Sequence, residues 1–261
     1  MERFDKLDTE MVKELIIRGF ARSLGTYSDS ATIQRHVSEK LASLVLRYKT
    51  GLPYDILELG CGTGFLTENL LDAFPNANWT INDINSDVKE SIGMLFQEKS
   101  FAKPLYVFDD AEKIPFDSNY DLIISSACIQ WFSNLPLFLN AISNKLNANG
   151  LLAFSTFGSQ NLTEIKMISG KGLNYYTLDD YTSFLSDKYE ILYCSEDIVN
   201  LYFDDPYDVL KHIKSTGVNG AFRQHWTKSN LAEFMNNYKQ FQTPKGYTLT
   251  YHPIYFICKP K

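Results

Sequence analysis

Cysteine and histidine are scarce: the chain holds four of each among 261 residues. Cys61, Cys128, Cys194 and Cys258 show neither pairing nor metal spacing, and read as buried thiols of a cytoplasmic protein. No two histidines form a His-x-x-x-His or His-Glu-x-x-His pair, so no metal site is expected. Long apolar runs are also missing. Stretches such as Leu151–Phe154 are strand-sized, which excludes a transmembrane span. The opening Met-Glu-Arg-Phe-Asp-Lys lacks the apolar core of a signal peptide. No dense Arg/Lys run occurs, which argues against a nucleic-acid partner. The expectation is a soluble monomer without metal, membrane or nucleic acid.

What is present fits a globular enzyme-sized chain. The apolar fraction of 44% is ordinary, and the length suits one domain, or one domain with a lid. The net charge of −6 is unevenly distributed. Residues 206–261 hold eight Lys/Arg and two Asp/Glu, whereas residues 51–205 hold eight and twenty-two. Such a tail can offer a basic face to an acidic partner, or can simply be solvated surface.

The most informative stretch is Ile56-Leu-Glu-Leu-Gly-Cys-Gly-Thr-Gly64, an apolar strand running into a glycine turn. Gly60, Gly62 and Gly64 are spaced Gly-x-Gly-x-Gly behind Glu58. Glycine suits backbone that takes positive φ or approaches a ligand closely. A dinucleotide fingerprint needs glycine at position 65, where this chain has Phe65. A phosphate-binding P-loop needs Gly-Lys-Ser/Thr, which is absent. The turn is similar to that of class I S-adenosylmethionine methyltransferases.

Around that turn the pattern alternates strand and helix. Strands are expected at Tyr54–Leu59, Asn78–Asp83, Leu105–Phe108, Tyr120–Ser126 and Leu151–Thr156. Further strands are expected within Tyr189–Phe203 and at 247–258. Helical periodicity marks residues 10–24 and 31–49, Gly64–Leu71, Leu135–Leu146, Pro206–Ser215 and Ser229–Tyr238. Alternating units of this kind build a parallel α/β sheet. Residues 1–49 read as an N-terminal helical cover and 50–157 as the cofactor-binding core. The stretches 158–185 and 216–245 exceed turn length and read as lid inserts.

Several side chains fall where open sheets bind ligands, just beyond strand carboxyl ends. Asp83 can accept both hydroxyls of a ribose, or can cap the helix beginning near Asp87. Asp110 and Ala111 are placed for an adenine edge. Trp131 follows the fourth strand, although tryptophan is also a common core residue. A carboxylate acceptor is already anionic near neutral pH and needs no general base, only a cationic or hydrogen-bonding clamp. The lack of an obvious catalytic histidine therefore tilts the reading toward carboxyl or reactive-carbon acceptors.

Separated pieces of the chain resemble the malonyl-[acyl-carrier protein] O-methyltransferases of biotin synthesis. They include Phe20-Ala-Arg-Ser-Leu-Gly-Thr-Tyr27, Ala31-Thr-Ile-Gln34 and Asp110-Ala-Glu-Lys-Ile-Pro-Phe116. Others are Ile124-Ser-Ser-Ala-Cys-Ile-Gln-Trp-Phe132, Asn161-Leu-Thr-Glu-Ile165, Lys214-Ser-Thr-Gly-Val-Asn219 and Leu249-Thr-Tyr-His-Pro253. The resemblance covers the chain nearly end to end. It implies a Rossmann-like class I methyltransferase fold, with a mostly parallel seven-stranded sheet, flanking helices and a helical lid. It implies methyl transfer from S-adenosyl-L-methionine to the free carboxyl of a malonyl thioester on acyl-carrier protein or coenzyme A. The implied cofactor residues are Glu58, Gly60, Cys61, Gly62, Gly64, Asp83, Ile84, Asp110, Ala111 and Ser126. Those implied at the transfer site are Tyr27, Gln130 and Trp131, with Ser125 and Ala127 shaping it. Lys214, Arg223 and Arg22 are candidate carboxylate clamps, and His252 is either structural or catalytic. The basic tail would dock the acidic carrier. Two other readings remain: a methyltransferase for another carboxylate or a quinone-type ring, and a non-catalytic cofactor-binding partner protein.

Overall fold

The computed structural model describes residues 31–170, 174–216 and 227–261. Strand β1 (Asp55–Leu59) lies near the middle of a seven-stranded sheet. It is flanked by β2 (Asn78–Asp83) and β4 (Tyr120–Ser126), with β3 (Leu105–Phe108) at the edge beyond β2. Next to β4 comes β5 (Leu146–Phe157), and these five strands pair in parallel. The far side is completed by β10 (Pro253–Pro260), which runs antiparallel to β5 and to β6 (Tyr189–Glu196). Full burial of Ile56-Leu-Glu-Leu59 matches a strand covered on both faces.

The pleat sends alternate residues into two cores. Ile56, Leu122, Ile124, Ala153, Tyr255 and Ile257 join one, against helices α1 (Thr32–Tyr48), α2 (Phe65–Leu71) and α3 (Lys89–Glu98). Leu57, Ile123, Leu152, Phe154 and Phe256 join the other, against α4 (Leu135–Ser143). Helix α1 drives Val37, Leu41 and Val45 into the first core, the stripe its periodicity predicted.

Three boundaries differ from expectation. The helix expected to reach Leu146 stops at Ser143, because Leu146 already pairs with Tyr120 as the start of β5. Tyr189–Phe203 contains two strands, β6 and β7 (Val199–Phe203). The 247–258 stretch divides at His252 into β9 (Gly246–Tyr251) and β10. Strands β7 and β9, with β8 (Gln242–Thr243), form a separate antiparallel sheet in register Val199↔Tyr251. Within the 158–185 stretch, helix α5 (Thr163–Ser169) precedes α6 (Leu178–Leu185). Tyr181 and Leu185 of α6 are fully buried in the second core, so this helix flanks the main sheet. Helices α7 (Pro206–Ser215) and α8 (Lys228–Tyr238) pack on the small sheet's side through Val209, Ile213, Phe234 and Tyr238.

The strand order reverses direction at β1: β2 lies on one side and β4 on the other. A crevice beyond the carboxyl ends of these strands is the expected ligand position in an open α/β sheet.

Candidate active site

A cleft occupies that crevice, and it is built from the ends of four strands. The glycine turn after β1 forms its floor with Gly60, Cys61, Gly62 and Thr63. Gly60 has φ +64, and a Cβ there would fall 2.1 Å from Cys128 Sγ in the loop after β4. Position 60 therefore tolerates neither an L side chain's preferred backbone nor its volume. Gly64, φ +95, ends the turn as the residue before α2, where a Cβ would meet Leu95 at 2.6 Å.

Asp83 stands at the end of β2 and lines the cleft. Its carboxylate accepts from Gly62 N at 2.9 Å and from Asn85 N at 2.8 Å. It therefore ties the glycine turn to the turn after β2. Burial raises its pKa, and these backbone donors partly offset the rise. Glu58 is buried at 1% exposure, with Thr67 Oγ1 donating to Oε2 at 2.6 Å. Burial pushes its pKa up to about 8, with nearby Asp83 adding to the rise against the Thr67 bond. Glu58 therefore holds its proton to higher pH than an ordinary carboxyl. The Cys61 thiol is pushed up by burial and by Asp83, so it is no nucleophile.

Asp110 and Ala111 line the cleft after β3, and Ile84 lines it after β2. Asp110 is buried and accepts from Glu112 N at 3.1 Å. Two residues with no expected cofactor contact hold this wall. Asn82 donates to Val107 O and to Asp109 O, both at 2.9 Å, pinning the β3 tail to β2. Glu112 accepts from Ser133 N and Asn134 N, both at 2.8 Å, joining the loops after β3 and β4. Asn82 was legible only as a polar residue in an apolar strand.

The fourth wall follows β4. Ser126, Ala127 and Trp131 line the cleft. Ser126 Oγ meets Ser155 Oγ at 3.0 Å, and Ser125 Oγ donates to Leu59 O at 2.9 Å. Ala127 holds φ +50, a left-handed backbone uncommon for alanine. Its N–H donates to Ser155 O at 3.0 Å. Gln130, 4% exposed, turns away from the cleft lining and donates through Nε2 to Ala127 O at 2.6 Å. Behind it, Thr156 Oγ1 donates to Gln130 Oε1 at 3.4 Å and pairs with Tyr181 OH at 3.1 Å.

Lys214 is exposed in the last turn of α7 and is not among the cleft-lining residues. Tyr27, Arg22 and Arg223 lie outside the described residues. His252 is buried at 3% exposure where β9 passes into β10. Gln160 N donates to its Nδ1 at 3.1 Å, so the ring proton sits on Nε2, 3.0 Å from Glu196 Oε2. His252 therefore fastens a strand junction and does not line the cleft.

The donor set suits a zwitterionic nucleoside such as S-adenosylmethionine. Carboxylates stand at the β2 and β3 ends, the glycine turn passes along the floor, and half-buried Trp131 forms a wall. Among the described residues, Gln34 Oε1, Thr63 Oγ1 and Asn85 Nδ2 are buried without hydrogen-bond partners, and all three residues line this cleft. Unmet polar groups gathered in one cleft are what a polar ligand satisfies. Among the described residues, no group of three or more His, Cys, Asp or Glu could hold a metal, and no helix is long and apolar enough to cross a membrane.

Fold and cleft together define a Rossmann-like class I methyltransferase that uses S-adenosylmethionine. A methyltransferase-domain family model matches residues 57–154. The YcgJ protein of Bacillus subtilis superposes with TM-score 0.61 at 13% identity, covering 85% of this chain and 98% of its own. A malonyl-[acyl-carrier protein] O-methyltransferase of Acinetobacter baylyi is 36% identical over 95% of this chain and 96% of its own length. One of Bacteroides fragilis is also 36% identical over 95% of this chain, which spans 51% of that longer protein. The chain belongs to the malonyl-[acyl-carrier protein] O-methyltransferase family.

Proposed function

We propose that the protein transfers a methyl group from S-adenosyl-L-methionine to the free carboxyl of malonyl-[acyl-carrier protein], or of malonyl-coenzyme A. The resulting methyl ester masks the charge and starts the pimeloyl part of biotin synthesis. The observation that carries this reading is the 36% identity, along 96% of its length, to a relative bearing that name. Fold alone would not choose the acceptor.

S-adenosylmethionine supplies a methyl already activated on a sulfonium. An acceptor carboxylate oxygen provides the electron pair for the new C–O bond, and sulfur keeps the pair of the broken C–S bond. A carboxylate and a sulfonium become a neutral ester and a neutral thioether, and no proton moves. The chain's task is alignment and water exclusion.

In this reading Asp83 takes the ribose hydroxyls, Asp110 and Ala111 face the adenine, and Ile84 covers it. Gly60, Cys61, Gly62 and Gly64 carry backbone past the methionine part, with Glu58 orienting the turn. Ser126 and Trp131 line the transfer path, and Gln130 serves it through the Ala127 turn. Tyr27 orders the lid over the acceptor, with the stretches 1–49, 216–245 and the part of 158–185 that precedes α6 contributing to that cover. Arg223 or Lys214 meets the malonyl carboxylate. The carrier docks on the basic residues of 206–261, and the enzyme works as a cytoplasmic monomer without nucleic-acid or membrane partners.

The test incubates the purified protein with labelled S-adenosylmethionine and malonyl, succinyl or acetyl carrier protein. Label should pass to the malonyl carrier and not to the acetyl carrier, which has no free carboxyl. Equal labelling of acetyl and malonyl carriers would overturn the acceptor assignment. Charge reversal at Lys211, Lys214, Lys228 and Lys239 should weaken carrier affinity; unchanged affinity would refute docking on this tail.

A further inference from the structure

We infer that Gln34 is a ligand-binding residue of the cleft, and that its side-chain amide holds the amino-acid end of the cofactor. The inference rests on the S-adenosylmethionine reading for the identity of that zwitterion. Its own basis is the burial and the unmet bonding of one side chain.

Helix α1 turns Ala31, Gln34 and Ser38 toward the same side, at spacings of three and four. Gln34 and Ser38 both line the cleft. Their neighbours Ile33, Val37 and Leu41 are buried in the apolar core, so Gln34 is a polar intrusion at the edge of an apolar stripe. Its exposure is 7%, and Oε1 is buried without a hydrogen-bond partner. Such a group destabilises the unliganded fold unless something else repays it. The neighbouring Ser38 hydroxyl does not, because it donates to Arg35 O at 2.8 Å.

The same face of α1 is fixed against the glycine turn. Arg35 lies 4.2 Å over the ring of Phe65, the first residue of α2, and the two helices pack together. Thr63, inside the turn, carries a second buried and unpartnered oxygen. Two unmet polar groups thus line the part of the cleft between α1 and the turn. The carboxylates of Asp83 and Asp110 belong to the β2 and β3 ends instead. An amide offers both an acceptor and N–H donors. An α-amino acid group presents an ammonium and a carboxylate, which require those two. The donors of the nucleoside itself, its ribose hydroxyls and adenine amine, belong in this reading to Asp83 and Asp110, which leaves the amino-acid group for Gln34.

The test is calorimetric and uses no turnover. S-adenosylhomocysteine and 5′-methylthioadenosine share the nucleoside and the sulfur, but only the first carries the amino-acid group. Binding of each is measured to the wild-type chain, Gln34→Leu and Gln34→Met, with thermal melts of all three. Both substitutions are expected to fold, because they place an apolar side chain beside an apolar stripe. Each should weaken S-adenosylhomocysteine about tenfold, the effect of one or two hydrogen bonds, while methylthioadenosine stays within about twofold. Equal losses for both ligands would make Gln34 structural and overturn the proposal. Unchanged S-adenosylhomocysteine affinity would overturn it too, including the case where KM for the malonyl carrier rises. Failure of the wild-type chain to bind either ligand would refute the cofactor reading itself. Failure of methyl transfer with these affinities intact would refute only the acceptor.

Discussion

Gln130 holds the carbonyl of Ala127 at 2.6 Å, and that carbonyl belongs to a residue with φ +50. The bond joins a buried amide to a strained turn whose other neighbours, Cys128 and Trp131, form the cleft wall. Backbone strain of this kind persists only where surrounding bonds over-determine it. Ser155 supplies a second bond from the N–H side. Gln130→Leu should therefore lower stability by about 1 kcal/mol, the net worth of a hydrogen bond to a half-buried carbonyl. It should also reduce kcat, with the dissociation constant for S-adenosylhomocysteine nearly unchanged. Melting curves and a kcat-against-affinity comparison check this. A large loss of cofactor affinity with normal kcat would contradict the positioning role.

Substituting Gly60 tests the floor of the cleft. Gly60→Ala adds a Cβ at 2.1 Å from Cys128 Sγ on backbone at φ +64. Cofactor affinity should fall well beyond tenfold, or the chain should fail to fold. Combining it with Cys128→Gly removes the sulfur but not the backbone penalty of about 1 kcal/mol. The double variant should recover folding and only part of the affinity, as read by calorimetry. Full recovery would show that φ at this position is unimportant.

Glu58 makes stability depend on pH. Its pKa rises from an ordinary 4.5 to about 8 in the folded chain. Between those values the unfolded chain has lost the proton that the folded chain keeps. Stability from this group is therefore fully present below about pH 4.5, falls as pH rises, and is level above about pH 8. The limiting slope for one such group is about 1.4 kcal/mol per pH unit. Asp83 is shifted in the same direction. Gln at position 58 keeps the shape without the titration. The difference in melting temperature between wild type and Glu58→Gln should change steadily from pH 5 to pH 8, in favour of Glu58→Gln at the higher pH. Parallel profiles would contradict the burial of a titrating carboxyl at position 58.

The parts of this protein that were readable in the sequence are those fixed by short-range chemistry. The Gly60–Gly64 spacing, Asp83 at a strand end and the apolar run through Ile123 each depend on local pattern; the first two bring Gly60, Gly62 and Asp83 to the cleft, and the third builds the sheet beneath it. Division of the 247–258 stretch at His252 was not readable. Alternation continues across that junction, where His252 packs against Gly158, whose N–H donates to His252 O at 2.7 Å and whose added Cβ would meet His252 Cε1 at 2.6 Å. Gln34 belonged to a quoted motif but carried no signal of a pocket. Its unmet oxygen appears only once α1 is packed against the glycine turn. Asn82 likewise acts through backbone groups distant in sequence, across 25 and 27 positions, and Gln130 is held from behind by Thr156, 26 positions away. Residues that hold other residues have no local pattern to betray them.

The proposed reaction turns on which atom receives the methyl group. Intact malonyl carrier protein, incubated with enzyme and trideuteromethyl-labelled S-adenosylmethionine, can be fragmented by mass spectrometry to release its acyl-phosphopantetheine arm. One labelled methyl is expected on the distal carboxyl as an ester, so that alkaline hydrolysis releases the label as methanol and the acyl group as unlabelled malonate. A label that survives hydrolysis on the malonyl carbon, or no label despite measured cofactor binding, would contradict it.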